Sequence, residues 1–172
     1  VRKANVSEPK KLMGTLDDRP MRGGAIRLVP LEGNILGVSE GIETALAVYT
    51  ATNAPIWACY NTSVLANFEP PEGVHTLIIW ADQDQPKKAP NGDLVEAGLD
   101  AANKLAERMK SRGINTIVMM PQEDISQKSV DWLDVLNSRG ESYINDRLCD
   151  ELQQLISLPY KDEAEARAEA EA

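Results

Sequence analysis

Two cysteines and one histidine are the only thiol and imidazole groups in this chain of 172 residues. Cys59 and Cys149 stand 90 positions apart. That is too few and too distant for a zinc site or a disulfide framework, and it suits a reducing cytoplasm. Each cysteine reads as a buried thiol, the usual place of a free cysteine. His75 has no second histidine to join it and anchors no site. No run of about 18 apolar residues occurs, so a membrane span is not expected. The opening VRKANVSEPKK lacks the apolar core of a signal peptide. It starts at Val1 rather than at a methionine, so the chain reads as a piece of a longer one.

Hydrophobic residues make up 42% of the chain and charged residues 26%, which fits one soluble globular domain with a real core. The net charge of −9 is unevenly spread. Residues 1–30 hold seven Lys/Arg against three acids, for +4; residues 161–172 carry −3 and the remainder −10. A basic arm on an acidic body suits a polyanion handled through metal ions, although a solvated arm explains the same charges. The expected organisation is a basic N-terminal arm over 1–22, a main domain over 23–140, a C-terminal helix over 141–160 and an acidic low-complexity tail over 161–172.

Between arm and tail, short apolar runs alternate with helical patterns. AIRLVPLEGNILGV reads as two strands joined as a hairpin at LEGN. Further strands are expected at 54–60, 75–82 and 114–121. The spacing of Leu94, Ala97, Ala101, Leu105 and Met109 predicts a helix over 93–113, with Gly113 near its end and a loop over 85–92 before it. NTSVLANF opens with capping residues, and two more helices follow the last strand. Strands alternating with helices imply an α/β fold: a four-stranded parallel sheet flanked by helices, with a small N-terminal hairpin and arm.

In such a sheet the carboxyl ends of the strands share one edge, where open α/β sheets bind ligands. Glu40 follows the first strand, Asp82 and Asp84 the third, and Glu123 and Asp124 the fourth, with Asp131 and Asp134 close behind. Gathered carboxylates repel one another unless a cation sits among them. Hard oxygen donors at this density favour Mg²⁺ or Mn²⁺. A glutamate after a strand also suits the N-terminus of the next helix, and the acids of DWLD also suit a helix start.

The ordered set GGAIRL, VSEGIETALA, IIWADQD, AGLDAANKLAERMKSRG and KSVDWLD resembles the Toprim region of phage- and plasmid-type DNA primases, within the superfamily shared with topoisomerases. The likeness covers roughly 23–137. It implies a Rossmann-like sheet with Mg²⁺ at its acidic edge, and Glu40, Asp82 and Asp84 as both catalytic and metal-binding acids. It implies a metal-dependent nucleotidyltransferase, part of a larger primase, making RNA primers on single-stranded DNA from ribonucleoside triphosphates. The partners so implied include a replicative helicase or upstream domains of the same chain, and no membrane. Where many primases place an aspartate four residues after the motif glutamate, this chain has Thr44, with Glu43 beside it as an accessory acid like Asp131 and Asp134. The loop after DQD is longer than the compact family form. Arg22, Arg27, Lys87, Lys88 and Lys128 are candidate contacts to phosphate or nucleic acid. The competing readings are a Toprim nuclease, which cuts rather than joins, and a Toprim interaction module without catalysis.

Overall fold

A computed structural model describes residues 23–88 and 92–157. Five strands form the main sheet: β1 (Ile26–Arg27), β2 (Ile35–Ser39), β3 (Ile56–Ala58), β4 (Thr76–Trp80) and, after a small ribbon, β7 (Asn115–Met119). Their order is β1-β3-β2-β4-β7. The last four are parallel, and β1 joins antiparallel along β3. The expected four-stranded parallel core is therefore present, with a fifth strand at its edge.

The apolar runs are two-sided, as parallel strands covered on both faces must be. All five residues of β4 are buried. Leu77 and Ile79 point into one core with Leu36, Val38, Leu105 and Met109. Ile78 and Trp80 point into the other with Ala45, Ile117, Trp132 and Ile144. Helices α2 (Thr62–Ala66) and α3 (Ala97–Lys110) cover the first face; α1 (Ile42–Thr52), α4 (Trp132–Arg139) and α5 (Glu141–Ser157) cover the second.

This layering positions the site. β2 and β4 are neighbours, with Ser39 opposite Trp80. The chain leaves β2 through α1 on one face and leaves β4 through α3 on the other. The sheet therefore has a topological switch point between β2 and β4, and the crevice at such a point is where doubly wound sheets take their ligands.

Four expectations need correction. AIRLVPLEGNILGV is not a hairpin: β1 pairs with β3, through Ile26–Ala58 and Arg27–Trp57. Both edges of β2 are already taken by parallel neighbours, so β1 joins the outer edge of β3 instead. The segment read as loop over 85–92 contains the strand β5 (Lys87–Lys88), which pairs antiparallel with β6 (Leu94–Val95). As a result α3 begins at Ala97 rather than at residue 93, and Leu94 stands 67% exposed instead of lying on a buried helix face. Finally, Cys59 is buried but Cys149 is exposed. The stripe that α5 buries runs through Ile144 and Leu148, and Cys149 is one position off it.

Other local signals hold. Asn61 caps α2 by accepting a hydrogen bond from the Val64 amide at 2.8 Å. Gly113 takes φ 75° in the turn that ends α3, a conformation that favours glycine. Trp132 is fully buried. Among the described residues no helix is long and apolar enough to cross a membrane.

Candidate metal centre

Glu40 is the first residue beyond β2, and Asp82 and Asp84 follow β4 by two and four positions. The two segments meet at Gly98, in the first turn of α3. A β-carbon placed on Gly98 would lie 3.4 Å from Asp84 Oδ2, 3.7 Å from the Asp82 carbonyl and 3.9 Å from Glu40 Oε2. Carboxylate oxygens from two different strand ends thus border one small space, left open because residue 98 has no side chain. Sequence reasoning missed Gly98. The signal was available, since a glycine inside a helical pattern costs stability and asks for a reason.

Asp82 is the most perturbed acid of the site. Burial pushes its pKa from 3.8 to about 7. The Thr44 hydroxyl, donating to Asp82 Oδ1 at 2.7 Å, works against that rise, while the charges of Asp131, Glu40 and Asp84 add to it. Glu40 also helps burial to raise the Cys59 thiol to about 12, which leaves that cysteine protonated and inert. Thr44, 2% exposed, occupies the place where an aspartate was expected, and it serves Asp82 as a hydrogen-bond donor.

The loop carrying Asp82 and Asp84 is held by the segment between β7 and α4. Gln83 and Val130 exchange two backbone hydrogen bonds of 2.9 Å. Gln83 Oε1 accepts from the Glu123 amide, and the Gln85 amide donates to Ser129 Oγ. Trp132 Nε1 donates to the Ala81 carbonyl at 2.9 Å, and its ring meets Trp80 edge-on with centroids 4.7 Å apart. Four residues in and around the DQD motif (Trp80, Ala81, Gln83 and Gln85) are thereby fixed from outside their own strand, which holds a constellation within narrow tolerance.

The remaining expected residues sort clearly. Asp131 lies near enough to Asp82 to raise its pKa, and its own carboxylate caps α4 by accepting from the Asp134 amide. Glu43 is exposed in the first turn of α1. Asp134 is bound by Lys128 Nζ at 2.9 Å to both oxygens, so that lysine is an internal partner of DWLD. Glu123 is held by Arg139, and Asp124 accepts from the Ser126 amide and hydroxyl; neither reaches the acids of β2 and β4. Arg27 stacks on Trp57, 4.8 Å from the ring centroid, at the outer edge of the sheet. Lys87 and Lys88 border a hollow of about 210 Å³ together with Asp84. Arg22 and the basic arm lie outside the described residues, as does the acidic tail.

Among the described residues, no three acids, cysteines or histidines stand close enough together to enclose a metal ion. The donor chemistry nevertheless fits a hard divalent cation. Glu40 and Asp84 border an open space beside Asp82, whose charge its surroundings disfavour, and a cation there would relieve that penalty. Searches of curated proteins and of solved structures returned no match. The family model described as a Toprim domain matches residues 35–142, a span from the start of β2 into α5 that takes in both halves of the acid edge. The chain therefore belongs to the Toprim domain family, whose members occur among primases, topoisomerases and nucleases.

Proposed function

We propose that this chain is the catalytic Toprim part of a DNA primase, joining ribonucleotides on a single-stranded DNA template. The observation that carries this reading is the space at Gly98, bordered by Glu40 and Asp84, with Asp84 also lining a neighbouring hollow beside Lys87 and Lys88. Bound there, Mg²⁺ or Mn²⁺ would neutralise the gathered charge and clamp a phosphate group. Asp82 and Asp84 would hold the ion from the β4 side. Glu40 would hold it from the β2 side or receive the proton of an attacking hydroxyl. Thr44 keeps Asp82 aimed and favours its ionised form. Lys87 and Lys88, exposed on β5 and lining a hollow with Asp84, would meet phosphate oxygens there. The ordered motif set from VSEGIETALA to KSVDWLD supports the primase type over other Toprim types.

The test incubates the 172-residue chain with a single-stranded template, four ribonucleoside triphosphates and Mg²⁺, and scores ribonucleotide incorporation beside strand nicking. Incorporation that is lost in Asp82→Asn supports the proposal. Nicking without incorporation points to a nuclease. Neither activity, together with no Mg²⁺ binding, points to an interaction module.

A further inference from the structure

The carboxyl edge carries more than the acids. The hollow beside Lys87 and Lys88 shares Val95 and Ala97 with a groove of about 550 Å³ between α2 and α3. That groove has a floor of small residues, with Ser63 on one wall and Lys104 on the other. It shares Ser63 and Asn67 with a third hollow of about 400 Å³, which ends at Tyr60. Through these shared residues the three hollows adjoin one another and make a track from Asp84 past α2 to Tyr60.

Tyr60 is unusual in its backbone. It follows β3 at the carboxyl edge with φ 66°. A bulky residue seldom adopts that region, and holding one there strains the backbone. Glycine would serve the turn without that backbone strain. The ring is half-buried against the core beneath α2. Strained residues of this kind gather at ligand sites.

We propose that this track binds single-stranded nucleic acid, with one base stacked on Tyr60 and the phosphates passing Lys104, Lys87 and Lys88. An aromatic platform joined to a cationic groove is the general solution for holding a strand without reading its sequence. Three adjoining hollows, rather than one closed pocket, suit an extended strand better than a free nucleotide. Asp100, one turn before Lys104 on α3, also lines the groove. Its charge keeps the phosphates on the Lys104 side. The proposal rests on the reading of the acid edge as a phosphate-handling site, and it supplies the path by which a strand reaches that site.

The test is fluorescence anisotropy of a labelled single-stranded dodecamer with the 172-residue chain in low salt and Ca²⁺, so that binding is read apart from chemistry. Tyr60→Gly should weaken binding at least about fivefold, and so should Tyr60→Leu, which removes the stacking ring but keeps apolar packing against the core. Tyr60→Phe should bind as the wild type does. Lys104→Glu should weaken binding several-fold, while Lys110→Glu, off the track, should not. Wild-type affinity in both Tyr60→Gly and Lys104→Glu would overturn the track, as would full competition by an equimolar mononucleotide or no strand binding by the wild type. Strand binding without any metal-dependent activity would instead leave the track standing and overturn the primase reading.

Discussion

Thr44 donates a 2.7 Å hydrogen bond to Asp82 Oδ1, tying the third residue of α1 to the loop after β4 across 38 positions of sequence. The bond links the two halves of the switch point, and it is the one local contact that favours the ionised form of Asp82. Thr44→Val keeps the shape and removes the donor. The Asp82 pKa should rise further, and Mg²⁺ affinity at pH 7 should fall by about tenfold, for a loss on the order of 1–2 kcal/mol. Calorimetric titration at pH 7 and pH 8.5 checks this, because the deficit should shrink at the higher pH, where Asp82 is ionised in both proteins.

Asp82→Asn separates charge from shape. The folded-state pKa of about 7 lies above the ordinary 3.8, so the folded protein binds the proton more tightly than the unfolded chain does. The stability contributed by that proton is fully present below about pH 4 and is lost as pH rises through about 7. In the variant that loss is absent. Asp82→Asn should therefore match the wild type near pH 4 and exceed it above pH 7, by at most about 4 kcal/mol. Urea denaturation at both pH values, without metal, reads the difference. Added Mg²⁺ should stabilise the wild type and leave the variant unchanged.

Gly98 offers the opposite dissociation. Gly98→Ala should gain roughly 0.5–1 kcal/mol of helix stability, yet its β-carbon enters the space bordered by Asp84 and Glu40. We expect a higher melting temperature together with weaker Mg²⁺ binding, and Gly98→Val should weaken binding further. Unchanged metal affinity in both variants would place the ion elsewhere.

Trp132 holds the DQD loop from beneath, through its indole N–H and its edge contact with Trp80. Trp132→Phe removes the hydrogen bond and leaves the buried Ala81 carbonyl without it, which should cost on the order of 2 kcal/mol. Because the loss lies directly under Asp82, metal affinity should fall in parallel with stability. A variant on α5 in the same core, Leu148→Ala, which removes no hydrogen bond to the DQD loop, should lower stability with little change in metal affinity. Thermal melts and metal titrations on the two variants distinguish loop support from general core loss.

The acids could be read from the chain because parallel strands deliver whatever follows them to one edge. Strand positions brought Glu40, Asp82 and Asp84 to that edge together with Glu123 and Asp124, and it was the family resemblance that singled out the first three. Features set by tertiary choices were less visible. The pairing of β1 depended on which edges remained open, and the local LEGN signal carried no information about that. The β5–β6 ribbon is two residues long on each side, too short to give a period. Lys128 looked like a phosphate contact because its partner Asp134 lies six positions away, a separation that becomes close only after α4 has formed. Thr44 stood out as the missing aspartate, but its role as a donor to Asp82 appears only when α1 and β4 are packed together.

The register that places Ser39 opposite Trp80 sets a rule for what change the chain can absorb. Glu40 is one residue past Ser39 and Asp82 two past Trp80, so their separation is measured out by a backbone ladder and not by flexible side chains. Side chains alternate along a strand, so one residue inserted or deleted within Ile35–Ser39 would turn Glu40 to the opposite face and swap the two cores' contents on β2. The same insertion in the connection before Ile35, or beside Gly92, leaves that ladder untouched. Length variation in relatives of this domain should therefore collect in those connections and be missing from β2 and β4, and laboratory insertion libraries should recover the same pattern.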